Sequence, residues 1–131
     1  MHRIAIVGAV SWNTLVLLDE LPEPVPHMQY ALDDWQTLGG TSAGKALALT
    51  ALGDRVLLRA GVGADAEGGR IRAALTGAGV DPSALVPADR SERHLNLMTQ
   101  AGERVSLYLA SPEVTAEEDP ASLDEFFAGA E

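Results

Sequence analysis

Residues 38–53, LGGTSAGKALALTALG, concentrate the groups in this chain that could do chemistry. Gly39, four residues, Gly44 and Lys45 reproduce the G-x-x-x-x-G-K spacing of a phosphate loop, whose backbone amides cradle a triphosphate while the lysine reaches its end. Such a loop also needs a Ser or Thr directly after the lysine to hold magnesium, and a buried parallel strand directly before it. Ala46 follows Lys45, and the upstream residues alternate apolar with polar. Both requirements fail, so nucleotide binding by this loop is not expected. A second reading uses the same physics for another ligand. Gly39 and Gly40 let backbone approach a ligand closely, and the first amides of a following helix stay free to donate to hydroxyl or carboxylate oxygens. The alternative is that the two glycines only make a tight strand-to-helix turn.

Other single residues offer less. His2, His27 and His94 lack ligand spacing, so no zinc site is expected. Ser11 and Ser42 lack the His and Asp partners of a nucleophile. Asp33 and Asp34 read as a solvated pair, and Asp65 in GVGADAEG as a turn or helix-capping residue.

Composition narrows the classes further. The 131 residues carry 9 Lys plus Arg against 19 Asp plus Glu, a formal charge of −10, and 47% are hydrophobic. That suits one modest globular domain rather than a disordered tail or a fibre. The acidic balance disfavours nucleic acid and anionic lipid as partners. No apolar run nears the roughly 20 residues that span a bilayer, and Met1–Ala9 does not read as a secretory signal, so a cytoplasmic protein is expected. With no cysteine there is neither disulfide nor thiolate chemistry. Residues 113–131 hold seven acids (Glu113, Glu117, Glu118, Asp119, Asp124, Glu125, Glu131) and no base, the pattern of a solvated face or tail.

The elements that must position these groups follow from periodicity. Ile4–Val7 reads as a strand buried on both faces and Thr14–Leu18 as a second strand. LPEPVP, residues 21–26, is a stiff turn, and the alternation of Met28, Tyr30 and Leu32 with polar neighbours predicts a half-exposed strand. Thr41–Leu52 is a buried helix stopped by Gly53, with Ala43, Gly44 and Ala46 small enough for close approach to a sheet. Arg55–Ala60 is a buried strand. Ile71, Ala74, Leu75 and Ala78 fall on one face of a helix over 66–78 that ends at Gly79. Strands at about 93–99 and 104–109 flank QAGE as a hairpin. Ser122 with Glu125 suggests a capping box for a last helix bearing Phe126 and Phe127, exposed for want of a covering element. The expected class is α/β: a partial Rossmann-like parallel sheet with flanking helices plus a small separate β-sheet.

In order and spacing, IAIVGAVSWNTL, LPEP, LGGTSAGKALALTALG, GVGADAEG, GAGVD (77–81) and the hairpin around AGER resemble the N-terminal part of a ribokinase-like (PfkB-type) carbohydrate kinase. The resemblance covers nearly the whole chain. It implies a truncated ribokinase-like fold, with residues 1–131 as the substrate-side part and lid strands at about 13–36 and 93–110. It also implies transfer of the ATP γ-phosphoryl group to a hydroxyl of a sugar or nucleoside-like alcohol, with ATP and Mg2+ as cofactors of the complete enzyme. Position by position, Asn13 falls where the family usually has an aspartate contacting sugar hydroxyls, and Gly39, Gly40 and Thr41 fall on its double-glycine substrate loop. Gly44 stands where an asparagine is usual. An amide in place of a carboxylate weakens a hydrogen bond from roughly 1.5–3 towards about 1 kcal/mol, and Gly44 removes a side-chain contact. Lys45, the one lysine, either faces solvent or supplies a new contact to an anionic or oxidised sugar. His94 and Asn96 share one face of the hairpin's first strand. They either read the substrate from inside the lid or lie on its wet outer face, and Tyr108 either stacks on a sugar or packs.

The family's second signature, a glycine-rich G-A-G-D segment supplying the anion hole and the aspartate base, does not occur in this sequence. The chain alone is therefore expected to be inactive, a substrate-side piece of a kinase able to form a homodimer through its lid. The competing class is a non-catalytic α/β module that binds a small molecule or pairs with another subunit.

Overall fold

In the computed structural model, which describes residues 1–115 and 119–130, the elements run β1 (Arg3–Val7), β2 (Ser11–Leu18), β3 (Asp33–Gly39), α1 (Thr41–Ala51), β4 (Arg55–Arg59), β5 (Gly61–Gly63), α2 (Ala66–Gly77), a 3₁₀ turn (Pro82–Ala84), β6 (Val86–Ala88), β7 (Glu92–Thr99), β8 (Arg104–Ala110) and α3 (Pro120–Phe127). β1 and β4 pair in parallel, Ile4 opposite Val56 and Ile6 opposite Leu58, and β5 pairs in parallel with β6. One face of this parallel pair meets α1 and α2: Val56, Leu58, Ala43, Ala46, Ile71 and Leu75 form the centre of the core, with Ile6 and Leu47 packed against it. Each of the larger side chains there is worth about 1.5–3 kcal/mol of burial. Ala43 and Ala46 are fully buried because only a methyl fits where α1 lies on the sheet.

The second sheet is separate and ordered β3-β2-β7-β8, antiparallel except for the parallel β2–β7 pair. Its strands cover 11–18, 33–39, 92–99 and 104–110. α1, α2 and the QAGE hairpin form where periodicity predicts, with Gly53 and Gly79 at positive φ just beyond the two helix ends.

Four expectations need correction. Met28–Leu32 is not a strand: Met28 and Tyr30 are each 95% exposed, and β2 pairs instead with Asp33–Gly39, so the alternation upstream finds no partner. The prolines before it hold an irregular loop, closed by Leu32 N–H donating to the Leu17 carbonyl (2.8 Å). β1 is only half-buried, with Val7 59% exposed, because one face of the parallel pair lacks the helix cover of the other. The cap of α3 is Asp119, whose carboxylate accepts from Ala121 N–H (3.1 Å) ahead of Pro120, and Ser122 lies inside the helix. Asp-Pro opens a helix as well as a capping box does, since proline at the first position forfeits no hydrogen bond. Finally, Phe126 is buried while Phe127 is 51% exposed. Of the acidic run, Glu113, Asp119, Asp124 and Glu125 are exposed, and Glu117, Glu118 and Glu131 lie outside the described residues.

Candidate functional site

The register of the four-stranded sheet gathers a polar face. Thr37, Asn13, His94 and Tyr108 stand in one cross-strand row, and Leu15, Asn96 and Ser106 in the next. β3 runs straight into α1 through Gly39 and Gly40, so the first turn of the helix abuts this face. Between them lies a cleft of about 400 Å³, lined by Ala9, Asn13, Gly40, Thr41, Ser42, Glu92, His94, Asn96, Arg104, Ser106 and Tyr108.

Two glycines make the junction. Gly40 has φ +95°, and a Cβ there would meet the Ala9 carbonyl at 2.7 Å. A Cβ on Gly39 would occupy the space of the Asn13 amide, so Gly39 gives Asn13 its place. Ser11 Oγ donates to Asn13 Oδ1 (2.7 Å), which aims the amide NH₂ away from the serine. Gly40 is the N-cap of α1 and no side chain caps the helix, leaving first-turn amides beside the cleft, where the helix dipole favours electron-rich oxygens.

On the opposite wall, Ser106 Oγ donates to Asn96 Oδ1 (2.7 Å). The His94 imidazole stacks face to face on the Tyr108 ring, 3.9 Å between centroids and 6° between planes, which fixes its orientation. His94 and Asn96 are both 8% exposed. They line the cleft, not the sheet's outer face, and Tyr108 serves as the ring that holds His94.

Behind the cleft, Asp65 caps α2 and also anchors the start of β7. It accepts from Gly68 N–H (2.8 Å), Ser91 N–H (2.8 Å) and Ser91 Oγ (2.6 Å), and Ser91 Oγ in turn accepts from Gly63 N–H (3.0 Å). Burial alone would raise the Asp65 carboxyl, but the bonds from Ser91 and Gly68 outweigh it and hold it below the usual carboxylate range. Its role is structural.

Of the residues singled out from sequence, Asn13, Gly40, Thr41, His94 and Asn96 come together around the cleft, with Gly39 directly behind Asn13. Gly44 and Lys45 do not join them. Both are exposed on α1, and a Cβ on Gly44 would meet nothing within 4 Å. Glu92, Ser106 and Arg104 were missed, although Glu92 sits two residues before His94 on the same alternation. A second depression, about 520 Å³, lies between β4, the 3₁₀ turn and α3, but its Arg55 is engaged with Asp81 (3.8 Å) and no buried polar atom is left unpaired there.

Among the described residues, no three His, Asp or Glu converge as metal ligands. The acid in the cleft lining is Glu92 alone. The strand before Gly39 belongs to the antiparallel β2–β3 pair, not to the parallel one that a phosphate loop requires. No helix of the described residues is long and apolar enough to cross a membrane.

No protein-family profile matches the chain. Among characterised proteins, it is 31% identical over 120 residues to the acarbose 7(IV)-phosphotransferase of Actinoplanes sp., covering 92% of this chain and 40% of that protein. It is 35% identical over 97 residues to the nucleoside kinase of Methanothermobacter thermautotrophicus, covering 72% and 31% respectively. A protein from Agrobacterium tumefaciens described as a ribokinase superposes with a TM-score of 0.85 over 98% of this chain and 42% of its own, at 25% identity. In sequence the chain is similar to these two phosphotransferases, and in fold to ribokinases. This ribokinase-like chain spans about 40% or less of the length of the characterised relatives it matches. The same fold occurs in the Arabidopsis thaliana ribokinase complexed with ribose and ATP (TM-score 0.68, 19% identity, 82% of this chain and 36% of that one).

Proposed function

We propose that this chain is the substrate-binding part of an ATP-dependent kinase that phosphorylates a hydroxyl of a sugar or nucleoside-like polyol, with the four-stranded sheet as a lid over that substrate. The observation that carries the reading is the cleft itself. Free helix amides at Gly40–Ser42 face Asn13, His94 and Asn96 across a space about 400 Å³ in volume. Polar side chains and backbone of this kind in one concave space suit a ligand bearing several hydroxyls. Gly39, Gly40 and Thr41 shape the floor, and Asn13, His94 and Asn96 read the ring.

This chain alone is proposed to be inactive. General-base catalysis contributes about 10²–10⁴ in rate and an anion hole about 10²–10³ more, and on this reading both belong to the family's glycine-rich G-A-G-D segment, which this sequence does not contain. ATP and Mg2+ are the cofactors proposed for the complete enzyme. Titrating the 131-residue chain with sugars while following amide resonances should shift Asn13, Gly40, His94 and Asn96, and ATP consumption should stay at background. Robust turnover by this chain, or silence of those resonances with every sugar tried, overturns the reading.

A further inference from the structure

The polar cleft occupies only part of the sheet face that bears it. Trp35, Leu15, Asn96 and Ser106 stand side by side in one cross-strand row, and Asp33, Leu17, Met98 and Arg104 in the next. Residues directly opposite in a ladder point to the same side, so Leu15 and Trp35 share the side of Asn96 and Ser106, which line the cleft. Leu15, Leu17 and Met98 are half-buried, and Trp35 is 39% exposed. An apolar shelf therefore adjoins the hydrogen-bonding groups, bordered by Asp33 on one outer strand and Arg104 on the other. The other tryptophan, Trp12, packs against the core and donates to Gln36 Oε1 (3.2 Å); Trp35 has neither role. Alternation along β3 puts Asp34 and Gln36 on the far side and the indole on the side of the cleft. Neighbouring strands lie about 4.8 Å apart, so Trp35 stands about 10 Å across the sheet from Asn96, with Leu15 between them. One sugar ring held between Asn13 and Asn96 does not span that distance.

We infer that the substrate carries a second ring, joined to the polyol ring in the cleft, and that Leu15 and Trp35 seat the apolar face of that second ring. The inference rests on the cleft being the substrate site, and it makes Trp35 a specificity-determining residue. Two chemistries present such a face to an indole, the C–H side of a linked sugar and the plane of a nucleobase. The test is a titration of the full chain with probes in matched pairs, glucose against maltose and ribose against adenosine. Dissociation constants are read together with the amide resonances of Asn13 and Asn96 and the indole resonance of Trp35. In at least one pair the two-ring probe should bind at least tenfold more tightly and shift the Trp35 indole, which its one-ring partner leaves in place. The pair that shows the gain identifies the second ring as sugar or base. Trp35→Thr, which keeps a strand-forming residue on the edge strand, should remove the gain and leave the one-ring constant within about twofold. Trp35→Phe keeps a flat ring and should restore most of it. The indole shift is read on the unsubstituted chain, so it decides the matter even where Trp35→Thr does not fold. Two-ring probes that bind at Asn13 and Asn96 no more tightly than their partners, or a gain that survives Trp35→Thr, overturn the second-ring seat and leave the substrate-site reading intact. Self-association that Trp35→Thr abolishes, with probe binding unchanged, overturns it too and gives the shelf to a second copy. No shift at Asn13 or Asn96 with any probe overturns both.

Discussion

Gly40 carries the cleft on a backbone conformation that only glycine adopts easily, φ +95° and ψ 141°. Gly40→Ala should cost about 1–3 kcal/mol from backbone strain alone, with the 2.7 Å approach to the Ala9 carbonyl added to it. Urea unfolding would measure the loss, and sugar binding should go with it. Gly44, four residues on, behaves oppositely. It has negative φ and open space around its Cα, so Gly44→Ala should stabilise α1 by roughly 0.5–1 kcal/mol and leave sugar binding unchanged. The contrast shows how far single residues were legible. The pair Gly39–Gly40 announces close backbone approach by type, and the structure supplies the reason: the Asn13 amide on one side and the Ala9 carbonyl on the other. Glu92 was hidden because a glutamate at a strand start looks solvated. Only the register, which sets Ser11 opposite Glu92 and Asn13 opposite His94, brings it inside. Lys45 misled for the converse reason, since a helix turns its side chains every 100° and the one after Gly44 points to solvent.

Among the elements, the join between α2 and β7 is the one that holds the cleft wall in place. Asp65 alone binds Gly68 at the helix start and Ser91 just before Glu92, so its carboxylate must stay ionised to keep three donors. Its carboxyl is depressed below the ordinary 3.8 in the folded chain. A depressed acid contributes stability above its unfolded value, and that contribution disappears as pH falls through the folded value. Asp81 and Asp89 are shifted the same way by bonds from Ser83 and Glu113, so the chain should lose stability progressively below about pH 4. Asp65→Asn should cost about 0.5–2 kcal/mol at neutral pH and flatten the acid limb of a stability-against-pH curve. A variant with an unchanged acid limb would show that Asp65 is not what acid releases. The last helix provides a second check. Sequence left both phenylalanines bare, but α3 turns Phe126 inward, so Phe126→Ala should cost about 3–5 kcal/mol and Phe127→Ala under about 1.5. Periodicity located the helices and strands because their apolar faces meet a core. It failed at Met28–Leu32 because an alternating pattern becomes a strand only beside a partner.

At the scale of the whole chain, the four-stranded sheet is amphipathic in the reverse of the usual sense. Its polar residues Asn13, His94 and Asn96 turn towards the body and enclose the cleft, while Val16, Leu95, Leu97, Val105 and Leu107 share the opposite face. Val105 and Leu107 are 42% and 45% exposed there. An apolar sheet face of this kind invites cover, and a second copy of the same face is the cover that two-fold symmetry supplies without any further sequence. The formal charge of −10 opposes association at low salt, so the tendency should strengthen as salt screens it. Sedimentation velocity should therefore show a concentration-dependent dimer that grows between low and physiological salt. Leu107→Glu, placed on the edge strand β8 of that face and away from the cleft, should return the chain to monomer with its sugar titration unchanged. A dimer that survives Leu107→Glu would mean that the copies meet elsewhere, and the half-covered face of β1 and β4, with Val7 exposed, is then the surface to substitute next.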